Sequence, residues 1–232
     1  MSPREQKLSM KDVLLWSHGE PPPPGPRRIG IHTSTAGGVA FAAERAYRLG
    51  ANTFQIFSSS PRQWRPYALS QTQCDEMHRL RQKYNLAPLV IHTGYLVNLA
   101  SATPEFHRQS VLAFRGELER ALALGADYLV LHPGSFRGRS REDGLKLVAQ
   151  SVQEAAQGLE LEKSTLKILI ENTAGAEFSL GGSFDQVAHL LEYLRPVCCV
   201  GVCIDTCHTH VCGYDIVSER GWHETMRQLD AT

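Results

Sequence analysis

From residue 28 onward, short apolar runs recur along the chain. They stand at Ile29–His32, Phe54–Phe57, Leu89–His92, Tyr128–His132, Lys167–Glu171 and Val200–Asp205. Their near-continuous apolarity predicts strands buried on both faces, as in a parallel sheet. Apolar residues at steps of three and four lie between them. Val111, Phe114, Leu118 and Ala121 form one such row before Gly125, and Ala43, Ala46 and Leu49 form another before Gly50. Leu145, Val148, Val152, Ala155 and Leu159, then Phe184, Val187, Leu191 and Leu194, repeat the spacing. Helices on these rows, stopped by glycine, make the chain a series of βα units.

An open doubly wound sheet and a (β/α) barrel both fit this alternation, and the strand ends discriminate between them. Five of the six runs end on His32, His92, His132, Glu171 or Asp205. A barrel brings all strand C-termini to one mouth, whereas an open sheet strings them along a ridge. The expected fold is therefore an α/β, TIM-type (β/α)8 barrel with about six of its eight βα units present. Imidazoles and carboxylates gathered at one mouth are the ligands of zinc and similar divalent metals. Taken singly, each His also reads as an ordinary loop histidine. Together they are costly to bury unless something pairs them. His208, three residues after Asp205 on the loop leaving the last strand, adds a further candidate.

Several stretches then carry a resemblance. Residues 29–38 read Ile-Gly-Ile-His-Thr-Ser-Thr-Ala-Gly-Gly, followed by Pro61-Arg-Gln-Trp64, His92-Thr-Gly-Tyr95 and His132-Pro-Gly-Ser135. Ile170-Glu-Asn-Thr-Ala-Gly175, Gly201-Val-Cys-Ile-Asp-Thr-Cys-His208 and Gly213-Tyr-Asp215 complete the set. From about Arg28 to the end the chain resembles the endonuclease IV family of apurinic/apyrimidinic (AP) endonucleases, on the barrel shared with xylose isomerase. The resemblance implies hydrolysis of the phosphodiester 5′ to an abasic site in double-stranded DNA, leaving 3′-hydroxyl and 5′-deoxyribose phosphate ends. It implies three Zn2+ ions, with Mn2+ as an alternative. His92, His132 and Glu171 would hold one ion, Glu171 would bridge to a second ion that also takes Asp205, and His208 would join a third. Glu171 is also the implied catalytic residue. Arg62, Gln63, Trp64, Tyr95 and Leu96 would contact the DNA and hold the abasic nucleotide out of the stack, where no base pairing has to be broken. His32 is expected beside the metal ligands rather than among them. Arg137, Arg139 and Arg141 read either as phosphate contacts or as solvated loop charges. An independent Cys/His site among Cys203, Cys207, His208, His210 and Cys212 is set aside, because the family motif carries both of the first two cysteines without using them as ligands. His78, His107, His189 and His223 read as surface residues of helices.

Composition refines this picture at three points. The chain has 232 residues, 42% apolar, with 24 basic and 24 acidic side chains, so a DNA-binding reading rests on local residues and not on net charge. No stretch approaches the roughly 20 apolar residues of a membrane span. Six cysteines, four of them at 198, 199, 203 and 207, are no disulfide framework, and the N-terminus has no secretory signal. A cytoplasmic, nucleoid-associated monomer is expected. Residues 1–27 include the proline run Pro21–Pro24 and read as a disordered tail, leaving residues 28–232 as a partial barrel. The family continues with two further βα units carrying His-x-Asn-Asp and Asp-x-His motifs and a late Glu, and none of these occurs here. Weak or absent activity of this chain alone is therefore expected. The alternatives are a non-catalytic remnant that binds damaged DNA and, further off, a metal-dependent sugar isomerase or epimerase. The latter would have no use for Pro61-Arg-Gln-Trp64.

Overall fold

The computed structural model describes residues 27–66 and 68–231; the proline-rich segment lies outside the described residues. Six strands form one parallel sheet in chain order: β1 (Gly30–His32), β2 (Thr53–Phe57), β3 (Leu89–His92), β4 (Tyr128–Leu131), β5 (Lys167–Glu171) and β6 (Val200–Cys203). Between them run α1 (Phe41–Arg48), α2 (Gln71–Lys83), α3 (Pro104–Ala123), α4 (Arg141–Ala156) and α5 (Phe184–Leu194). A short α6 (Thr206–Val211) and α7 (Glu219–Asp230) follow β6. Consecutive parallel neighbours joined by helices are the plan of the (β/α) barrel, here as an open sheet with β1 and β6 at its edges.

Local chemistry sets the element ends. Ser70 and Gln73 make a reciprocal capping box on α2, and Ser140, Ser183 and Ser218 cap α4, α5 and α7. Pro104 opens α3, where its missing N–H costs nothing. Gly50 and Gly125 follow α1 and α3 with φ of +79° and +61°, a backbone conformation that other residues adopt only with strain. Between sheet and helices lies the core, where Phe54, Ile56, Leu89, Ile91, Leu129, Leu131, Ile168 and Ile170 meet Phe114, Leu118, Val148 and Val152 from the helices.

Burial on both faces holds for β4, whose Leu129, Val130 and Leu131 are all enclosed. It does not hold for β2, which alternates half-buried and buried positions, nor for the edges, where β1 is exposed and β6 half-exposed. The helices cover one face of the sheet, and the opposite face of an open sheet keeps contact with solvent. That second face carries the polar chemistry. Register places Phe57, His92 and Val130 in one row across it, with Leu169 and Gly201 continuing the row. Glu171, paired with Cys203, lies two residues further along.

Leu129→Ala in β4 is expected to cost about 2–5 kcal/mol, as for other fully buried leucines, whereas Val217→Ala on the surface shifts stability by no more than about 0.5 kcal/mol. Urea denaturation of the two variants checks this, and equal losses would place the core elsewhere.

Candidate metal centre

Three strand ends and one helix start converge on Glu171. It is the last residue of β5, and its carboxylate is buried. His92, at the end of β3, brings Nε2 to 3.2 Å from Glu171 Oε2. His132, one residue past β4, brings Nε2 to 3.5 Å from the same oxygen. From the other side, His208 Nδ1 lies 3.5 Å from Glu171 Oε1 and 3.8 Å from Asp205 Oδ1. The described residues thus form two overlapping groups, His92–His132–Glu171 and Glu171–Asp205–His208, each with its candidate ligand atoms within 4.8 Å of one another. Glu171 belongs to both. No other group of three or more His, Cys, Asp or Glu side chains at this spacing occurs among the described residues. Two neutralisable imidazole–carboxylate trios sharing a carboxylate are a donor set suited to zinc-like divalent ions.

Two of the histidines are also held by backbone carbonyls. His92 Nδ1 donates to the Thr93 carbonyl at 2.7 Å, which turns Nε2 toward Glu171. His208 Nδ1 donates to the Asn172 carbonyl at 2.8 Å. Neither Asp205 nor His208 sits where expected: β6 stops at Cys203, Asp205 is the cap of α6, and His208 stands on that helix rather than on a loop. The cause is the Asp205 side chain, which accepts from the His208 N–H at 2.8 Å and so starts a helix directly after the strand. Asn172 was missed by the sequence reading as a functional position. Buried beside Glu171, it accepts from the Asp205 N–H at 2.7 Å and donates to Thr209 Oγ1 at 3.0 Å. Its signal was its place inside the Ile-Glu-Asn-Thr stretch.

Burial alone would lower the His92 pKa. Hydrogen bonds with Glu171 and the Thr93 carbonyl outweigh burial and hold it above the ordinary imidazole value. His132 goes the other way, pushed down by burial and by His92 and His208 against the pull of Glu171. Burial, with Glu171 and Asp205 nearby, pushes the Cys203 thiol up to about 12.

The other expected positions surround this cluster. Arg62 and Gln63 are exposed in the segment after β2, and Trp64 is half-buried with its ring edge-on to Phe106 of α3 at 5.1 Å. Tyr95 is 63% exposed and meets Phe57 edge-on at 5.1 Å, while Leu96 sits lower and lines a cavity beneath the Arg62–Trp64 segment. The two stretches touch directly, since the Tyr95 N–H donates to the Pro61 carbonyl at 2.9 Å. Phe57 is the unforeseen hub, its ring also contacting His32 at 4.6 Å and His92 at 5.4 Å. His32 binds Gln55 at 2.9 Å and stays one ring away from the cluster. His107 departs from its surface reading: it is half-buried between helices, 2.7 Å from Ser151 Oγ. Arg137, Arg139 and Arg141 are exposed, and the Arg137 guanidinium lies over the Phe178 ring. Gly213-Tyr214-Asp215 does structural work: Tyr214 stacks on Phe184, and Asp215 accepts from Val217 and Ser218 ahead of α7.

The family model for the xylose isomerase-like TIM barrel matches residues 43–231. A probable endonuclease 4 of Solibacter usitatus is 46% identical over 206 residues, covering 88% of this chain and 70% of that relative. The chain belongs to the endonuclease IV family. The crystal structure of endonuclease IV from Thermus thermophilus superposes with a TM-score of 0.78 at 37% identity, covering 88% of this chain and 71% of that one. A D-tagatose 3-epimerase-like protein shares the fold alone, with a TM-score of 0.59 at 19% identity over 80% of this chain and 68% of that one. The six strands are therefore six βα units of a (β/α)8 barrel, and membership in the endonuclease IV family makes the chain a nuclease-type hydrolase. No helix among the described residues is long and apolar enough to cross a membrane.

In chelator-treated protein, His92 is expected to titrate above, and His132 below, the ordinary imidazole value near 6.5. The raised pKa of His92 gives a stability contribution that is present below that ordinary value and fades as pH rises through its folded pKa. Histidine NMR titration checks the order, and a reversed order would contradict the arrangement.

Proposed function

We propose that this chain is a DNA repair endonuclease that hydrolyses the phosphodiester 5′ to an abasic site in duplex DNA, leaving a 3′-hydroxyl and a 5′-deoxyribose phosphate. The observation that carries it is the pair of trios sharing Glu171, next to the exposed Arg62–Tyr95 rim. Family membership supports the nuclease reading, and the rim supports DNA over a free sugar. The epimerase-like neighbours share only the barrel.

In this reading His92, His132 and Glu171 would hold one divalent ion, Glu171 and Asp205 would take part in holding a second, and His208 would join a third, Zn2+ by choice and Mn2+ as an alternative. Such ions, when bound, make water nucleophilic near neutral pH and offset the charge that builds on the phosphate. The chain's own residues do the rest. The Thr93 carbonyl keeps the Nδ1 side of His92 occupied, so that ring turns Nε2 to Glu171, and the Asn172 carbonyl accepts from His208 Nδ1 and fixes that ring beside Glu171 and Asp205. Asn172 keeps Asp205 and the start of α6 in place. Glu171 serves both groups because its two oxygens face opposite sides. Arg62, Gln63, Trp64, Tyr95 and Leu96 form the surface against which the duplex lies, with Arg62 and Tyr95 exposed for the lesion itself. An extruded abasic nucleotide has no base to accommodate, which suits the site cavity of about 650 Å3 lined by Tyr95, Asn98, Ser135 and Ala176.

The full chain with added Zn2+ or Mn2+ is expected to incise, slowly, a duplex containing one tetrahydrofuran abasic analogue on its 5′ side. Glu171→Gln should lower the rate by more than about 100-fold, since losing a supporting group alone costs 10–100-fold. Gel analysis of end groups decides the reading. Metal-independent cleavage, or a 3′ unsaturated aldehyde in place of the hydroxyl on a natural abasic site, would mark a lyase and overturn it. Arg62→Ala and Tyr95→Ala should weaken binding of the abasic duplex by about tenfold each, near 1.4 kcal/mol, with no such loss on an undamaged duplex. Binding titrations by fluorescence anisotropy check this.

A further inference from the structure

Helix α3 buries an ion pair where an apolar residue would serve packing better. Phe114, Leu118 and Ala121 run along its inner face at 0% exposure, yet Glu117 and Arg120 are buried beside them, at 6% and 9%. Arg120 Nη2 lies 3.2 Å from Glu117 Oε2, and Arg120 Nε donates to Ser58 Oγ at 2.8 Å. The Ser58 hydroxyl in turn donates to Glu117. Burying two charges costs several kcal/mol per ion before their attraction is counted, so such a pair is a poor device for stability alone. It is a good device for fixing one geometry.

What it fixes is the stem of the segment after β2. Ser58 follows Phe57 directly, and the Arg62–Trp64 segment begins four residues later. That segment meets the β3–α3 unit at two further points, the Tyr95 N–H on the Pro61 carbonyl and the Trp64 ring on Phe106. Between these points lies a cavity of about 390 Å3, bordered by Gln63, Trp64, Leu96, Glu117 and Arg120, so the segment is not held by close packing from below. A segment that bridges a cavity depends on its anchors.

We propose that the buried Glu117–Arg120 pair, through Ser58, is the positioning element that holds the Arg62–Trp64 segment in register with Tyr95 on the rim of the metal centre. The proposal rests on the reading of that rim as the DNA surface. Neither residue reaches the substrate. Their effect is on affinity for the lesion, not on the bond-breaking step, because Phe57 and the strand end remain in the sheet when the segment loosens.

The test uses the full chain carrying Trp16→Phe and Trp222→Phe, which leaves Trp64 as its only tryptophan. Three readouts are taken: affinity for an abasic duplex in chelator, single-turnover incision at saturating enzyme with Zn2+, and acrylamide quenching of Trp64 in free protein. Glu117→Gln is expected to weaken binding about tenfold, leave saturated incision within about twofold, and raise Trp64 quenching. Ser58→Ala should move the same readouts in the same direction by less, and it decides the matter if Glu117→Gln does not fold. Leu145→Ala, a core loss outside this network, should lower the melting temperature without changing affinity or quenching. Unchanged affinity and quenching in folded variants would overturn the proposal, as would a loss confined to saturated incision. Failure of the unmodified chain to prefer abasic over intact duplex would refute the DNA reading, and the quenching comparison would still decide whether the pair holds the segment.

Discussion

A buried carboxylate has to be paired, and in this chain the pairing of Glu171 organises everything around it. Three imidazoles from β3, the β4 exit and α6 face its two oxygens, and Asp205 closes the far side. Without counter-charge this would be a strained assembly. Two of the rings, His92 and His208, are also tied to backbone carbonyls, which fixes how they face the carboxylate. The opposite displacements of the His92 and His132 pKa values follow from the same crowding: one ring gains a hydrogen bond to the carboxylate, and the other is left mainly with burial and two like neighbours.

The sheet exists, for this purpose, to deliver those side chains to one layer. Parallel register sets His92 beside Phe57 and Val130, and the step to Glu171 follows from the stagger between neighbouring strands. Because all strands run the same way, the loops that leave them also share one end. The residues proposed to face DNA therefore arise on the same rim as the candidate metal ligands, and the Tyr95–Pro61 hydrogen bond and the Phe57 ring join the two sets mechanically.

Much of this was legible in the sequence, for physical reasons that differ by element. All six strands were readable because apolar runs between glycine and helix signals have few other uses. The candidate ligands were readable because four of the five stand at or just beyond strand ends. His208 was singled out but placed on a loop, since a helix of one and a half turns has no periodicity to detect, and only the Asp205 cap announces it. Helix α2 was read only at His78 and without bounds, because its apolar positions Cys74, Met77 and Leu80 are sparse among charges. Burial of β2 on both faces was over-read: alternation in Thr-Phe-Gln-Ile-Phe says one face only. Asn172, Phe57 and the Glu117–Arg120 pair escaped notice because their roles depend on partners distant in sequence. A charge on a helix face looks solvated until the loop that covers it is known.

The central claim is that one carboxylate serves two metal positions. Titration of the chelator-treated chain with Co2+, followed by its visible absorption and by the ion content of the protein after gel filtration, tests this most directly. At least two ions per chain are expected, and Glu171→Gln should lose tight binding at both positions together. Retention of full ion content in Glu171→Gln, or loss of a single ion with the second spectrum unchanged, would contradict a shared Glu171.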